Sequence, residues 1–116
     1  MIAKNKPIDY EFIDINMREL IRALNQFPGI RTTACCGGHK NPNSIQHAEG
    51  HWFVAIWVYK DGPDSLRMIE GVGVDMGFSC MDEEMEFGYH RGRWYLEGKN
   101  IEPDSVAQEL LKHLPL

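Results

Sequence analysis

Apolar positions along the chain fall into segments with distinct periods. Met17, Leu20, Ile21, Leu24 and Phe27 recur at helical spacing and form one stripe, so a helix is expected from about Met17 to Phe27. Asn16 stands at its N-cap position with Glu19 three residues on, as in a capping box, and Pro28-Gly29 closes it. Ahead of the helix, Tyr10 to Ile13 suits a short strand. After it, Ile30 to Ala34 is a β-type run, and residues 37 to 50, with their Gly, Asn, Pro and Ser, read as a loop. His51 to Tyr59 is a strand that is apolar almost without alternation, a pattern expected of a central strand covered on both faces.

The second half continues in the same manner. Asp61-Gly62-Pro63 makes a turn, and Pro63 suits the first position of a helix whose buried face would carry Leu66, Ile69 and Val72. A strand near Met76 to Met81 is expected next. Met85, Phe87 and Tyr89 then alternate with Glu84, Glu86, Gly88 and His90. Arg91-Gly92 supplies a turn, and Arg93 to Glu97 the return strand of a hairpin. Pro103 opens a last helix with Val106, Ala107, Leu110, Leu111 and Leu114 on one side. The expected architecture is α+β: helices packed on a mixed or antiparallel sheet in the order α-β-β-α-β-β-α, with room for extra edge strands. A length of 116 residues fits a single domain spanning 1–116.

Charge and composition narrow the function classes. The formal net charge is -5, which argues against a strongly basic nucleic-acid footprint, so an RNA partner is not favoured. No run of about 18 apolar residues is present, so no membrane-spanning helix is expected. The first residues carry no apolar stretch of the kind found in secretory signals. Three cysteines, Cys35, Cys36 and Cys80, two of them adjacent, make a poor disulfide framework and point to a reducing, cytoplasmic setting. A small core beside aromatics and methionines between Met76 and Trp94 leads us to expect a homodimer.

Candidate chemistry concentrates in Thr32-Thr33-Ala34-Cys35-Cys36-Gly37-Gly38-His39. The segment lies where a strand gives way to a loop, and its glycines let a ligand approach backbone N–H groups. Cys36 and His39 are the candidate catalytic pair, a thiol beside an imidazole. Thr32, Thr33, Gly37, Gly38, His51 and Trp52 are candidate ligand-binding residues. The alternative is a tight turn with small buried cysteines. His47 and His51 add imidazoles, so Cys36, His39, His47 and His51 form a candidate metal set suited to zinc, although their spacing matches no strong zinc pattern. Otherwise they are ordinary loop histidines. Trp57 and Trp94 are expected in the core, Trp52 as a pocket wall, and the acids from Asp82 to Glu86 on a solvated face. No P-loop, dinucleotide fingerprint or nucleophile-elbow serine motif occurs.

The run from Pro28 to His39, followed by Glu49-Gly50-His51-Trp52-Phe53-Val54, resembles the wybutosine-synthesising tRNA methyltransferase family. In that family a helix leads to a short strand, a Ser/Thr-rich motif with cysteine, and then a Gly-x-Trp strand. Thr32, Thr33, Cys36 and Gly37 or Gly38 match the first part, Gly50 and Trp52 the second, and Gly77-Phe78-Ser79 a later stretch. His39 stands where the family has arginine. The Cys-x-Gly-His segment is also similar to those of small bacterial and phage proteins. The family resemblance implies a related fold and site position, and in its full form S-adenosylmethionine as cofactor and RNA modification as activity. The residues themselves suggest a small domain that binds a metal ion or small molecule at the Thr32–His39 turn; a tRNA-methyltransferase-like enzyme is the alternative.

Overall fold

The computed structural model describes residues 7–40, 49–75, 84–90 and 92–114. Among the described residues, three helices, α1 (Arg18–Asn25), α2 (Pro63–Asp75) and α3 (Pro103–Lys112), accompany four strands, β1 (Ile30–Cys36), β2 (His51–Val58), β3 (Glu84–His90) and β4 (Arg93–Lys99). The fold is the expected α+β arrangement in the order α-β-β-α-β-β-α. The sheet order is β1-β2-β4-β3, with every adjacent pair antiparallel. Strands β2 and β3 therefore run parallel to each other, joined through α2, with β4 between them. The strand expected near Met76 to Met81, and with it Cys80, lies outside the described residues.

One core joins the helices to one face of the sheet. Met17, Leu20, Ile21, Leu24 and Phe27 are fully buried, as the stripe requires, and meet Ile69 and Val72 of α2 and Val106, Ala107 and Leu110 of α3. Burying such side chains stabilises by ~1.5–3 kcal/mol each. Beneath them lie Trp52, Val54 and Ile56 of β2 and Leu96 of β4. The intervening residues of β2, His51, Phe53, Ala55 and Trp57, fall on the opposite face by strand alternation. There Phe53 meets Tyr95 at 6.2 Å, and the Arg93 guanidinium stacks over Trp57 at 5.6 Å. β2 is thus interior in the sheet, but among the described residues helices cover only one of its faces; its apolar run hid the two-sidedness because the second face is aromatic too. Trp57 accordingly sits outside the helix-side core, whereas Trp94 packs against it. Leu111 of α3 is also outside, 43% exposed.

Two expectations near the N-terminus are corrected. Tyr10–Phe12 is a turn of 3-10 helix and not a strand, because the Asp9 carboxylate accepts the Glu11 N–H at 3.1 Å and bends the chain. Asn16 does not cap the first helix: Ile15–Met17 forms a 3-10 turn that runs into α1, and the Asn16 amide donates instead to the Gly37 carbonyl at 2.9 Å. The far end of α1 is tied to β1 by Asn25. Its amide donates to Thr32 Oγ1 at 2.8 Å and its carbonyl accepts the Thr32 N–H at 3.1 Å. Gly29, at φ 71, takes a left-handed conformation, and a Cβ there would run into the backbone of Asp61 and Gly62. No helix among the described residues is long and apolar enough to cross a membrane.

Candidate metal and ligand site

The site forms where β1 ends. A bulge between Thr32 and Ala34 shifts the register, so Cys35 pairs with Val54 and Cys36 with Phe53. Cys35 then packs against the helix-side core. Beyond Cys36 the chain turns through Gly37 and Gly38, the latter at φ 89, where a residue other than glycine would be strained. The segment before α1 clamps this turn. Asp14 accepts the Gly37 N–H at 2.8 Å, and Asn16 donates to the carbonyl of the same residue. A Cβ on Gly37 would collide with the Asn16 amide.

The clamp brings three metal-ligating groups together. One donor atom each from Asp14, Cys36 and His39 lies within 4.8 Å of the others. His39 Nε2 stands 3.5 Å from Asp14 Oδ2, and the two side chains are 32% and 39% exposed. Cys36 is buried at 6% exposure. In a tetrahedral zinc site with bonds of about 2.0–2.3 Å, ligand atoms are roughly 3.3–3.8 Å apart, so the three groups need to contract by no more than about 1.5 Å. The cluster can chelate a metal ion.

Cys35, although adjacent, is a different kind of thiol. Burial first, then the Asp14 carboxylate and Cys36, push its pKa up to about 11. It stays protonated near neutral pH and is unsuited to attack a substrate.

The expected site residues divide between two places. Gly37, Gly38 and Trp52 line a cleft of about 480 Å³, together with Asn16, Glu49, Gly50 and the Asn100–Pro103 connection. Trp52 is buried, with its indole N–H donating to the Ile101 carbonyl at 2.7 Å, so it forms the floor of the cleft as a fixed wall. Thr32 and Thr33 line a separate cleft of about 370 Å³ between the N-terminal segment and β1. Thr32 is engaged by Asn25, and Thr33 donates to the Ala55 carbonyl at 3.3 Å and accepts from Arg93 at 3.2 Å. Thr32 thus ties β1 to α1, and Thr33 ties β1 to β2 and β4. Of the four expected metal ligands, Cys36 and His39 come together. His51 begins β2 opposite Lys99 and is not among the clustered donors. His47 lies outside the described residues. The third donor, Asp14, was not singled out from the sequence. The only hint was its place just before a helix, where an aspartate more often serves as a cap.

The chain matches no protein-family model, no curated protein and no solved structure.

Proposed function

We propose that this protein is a metal-binding domain that holds a zinc ion between Asp14, Cys36 and His39. The convergence of these three donor types within 4.8 Å carries the reading. A thiolate and an imidazole favour zinc over magnesium or calcium, which take oxygen ligands, and the carboxylate is an accepted third donor. The arrangement also supplies support behind the ligands. Gly37, held by Asp14 and Asn16, fixes the turn on which Cys36 and His39 sit. The test is the metal content of protein purified without a histidine tag. One zinc per chain is expected in the wild type and a clear loss in Cys36→Ser and His39→Ala. Wild-type protein that takes up no metal in zinc-supplemented buffer rejects the reading.

A second reading keeps the resemblance to the tRNA methyltransferase family. What supports it is the face of the sheet opposite the helices, where Arg93 stacks on Trp57 at 5.6 Å beside Phe53 and Tyr95. Aromatic rings and a guanidinium are groups on which unpaired bases stack. Retention of tRNA by the wild type, weakened by Trp57→Ala, would favour it; no retention at low salt would remove it.

A further inference from the structure

Two apolar side chains of the N-terminal segment face water. Among the described residues Phe12 and Ile15 are the most exposed large hydrophobic side chains, at 86% and 79%. Three positions separate them, so their Cα atoms lie within about 11 Å and fall inside the footprint of one interface. The segment that carries them is pinned. The Ile13 carbonyl accepts from Arg18 Nε at 3.2 Å, the Arg22 guanidinium lies 4.7 Å from the centre of the Tyr10 ring, and Asp14 takes the Gly37 N–H. Phe12 also lines the 370 Å³ cleft between this segment and β1, whose apolar wall includes Ile8, Ile13 and Ile21. One exposed apolar residue is ordinary, but two on a fixed turn beside an apolar cleft mark a docking surface.

We propose that this surface binds a second copy of the chain across a two-fold axis, with one protomer's Phe12 entering its partner's cleft. An isologous contact needs a patch that complements itself. This patch holds an apolar projection and an apolar cleft side by side. It also carries both signs of charge. The exposed acids Asp9 and Glu11 flank Tyr10, and Arg22, half-exposed and paired with Glu19, sits over the Tyr10 ring. Across a two-fold axis the guanidinium of each protomer meets the carboxylates of its partner, whereas acids alone would call for a basic partner of another kind. Exposed ion pairs of this type orient the two copies and add little affinity. The affinity comes from covering Phe12 and Ile15, apolar groups held in place before binding. The homodimer expected from the aromatics between Met76 and Trp94 is thus assigned to the N-terminal turn, and it forms whether or not a metal ion is bound.

The test is sedimentation equilibrium of the full chain over a concentration series, with Phe12→Ser, Ile15→Ser and Tyr89→Ser alongside. The wild type is expected to pass from 13.3 kDa to twice that mass as concentration rises. Phe12→Ser and Ile15→Ser should each raise the dimer Kd by about tenfold or more. Both positions are exposed, so the melting curves of these variants should match the wild type, and either variant alone suffices if the other misfolds. Tyr89→Ser, at a 62% exposed position on the hairpin, should leave the Kd unchanged. A wild type that stays monomeric up to about 100 μM overturns the proposal. So does a dimer that tolerates both N-terminal substitutions, or one lost only with Tyr89→Ser, which would place the interface on the hairpin. Wild-type monomer that dimerises only after removal of residues 1–6 assigns the surface to the chain's own N-terminus and also overturns it.

Discussion

Replacing Gly98 with alanine should destabilise the protein out of proportion to one methyl group. Gly98 of β4 faces Trp52 of β2 directly in the sheet register. The indole lies across the space a side chain would take, so a Cβ at position 98 would overlap the ring. Trp52 cannot swing aside cheaply: it is 2% exposed, packed in the core, and its N–H is engaged by the Ile101 carbonyl. Overpacking of this kind costs ~1–3 kcal/mol. Displacing the indole also strains or breaks its hydrogen bond, worth ~0.5–1.5 kcal/mol. Together these give ~2–4 kcal/mol, or a fall in Tm of roughly 10–20 °C for a domain near this size. Thermal melts followed by circular dichroism measure it. A double-mutant cycle with Trp52→Leu should return part of the loss, since the smaller side chain makes room. A Gly98→Ala melt within about 2 °C of the wild type would refute the argument and mean that the Trp52 wall of the cleft is not rigid.

Three further outcomes are expected. Asn25→Ala should cost ~1–3 kcal/mol in urea unfolding, because the Thr32 N–H and hydroxyl lose their partner where α1 meets β1; an unchanged midpoint would show that Asn25 does not tie the two elements together. In metal-free protein Cys35 should alkylate about 100-fold more slowly at pH 8 than after denaturation, since its thiol pKa is raised from 9.0 to about 11; equal rates, read by peptide mass spectrometry, would contradict this. The same shift has a sign for stability: the folded state holds the proton more tightly, so the contribution of Cys35 is complete below about pH 9 and lost as pH rises through about 11. Ile56→Lys, at a fully buried position of β2, should leave the chain insoluble or unfolded, and a wild-type melting curve would place β2 at an exposed edge.

Much of the fold was legible because its signals are local. The stripe from Met17 to Phe27, Pro63 and Pro103 at helix starts, and the alternation of Met85, Phe87 and Tyr89 are all short-range patterns, and each element formed. The misread features share a long-range cause. Asn16 looks like a helix cap, but a partner 21 residues away, the Gly37 carbonyl, takes its amide. Asp14 carries no motif of its own, and only the chain path past Gly37 reveals it as a neighbour of Cys36 and His39. The bulge in β1 separates the roles of Cys35 and Cys36, and no residue type in Thr32-Thr33-Ala34 announces it. Cys36 and His39 were recognisable as reactive types beside glycines. Their third partner required the folded chain.

The central claim, that Asp14, Cys36 and His39 hold one ion, is tested most directly by X-ray absorption at the zinc edge of the loaded, tag-free protein. The account predicts one sulfur per zinc at about 2.3 Å and the remaining ligands nitrogen or oxygen at about 2.0–2.2 Å. The sulfur shell should vanish in Cys36→Ser and persist in Cys35→Ser. Two or more sulfurs per zinc, no sulfur at all, or a sulfur shell lost with Cys35 in place of Cys36 would contradict it.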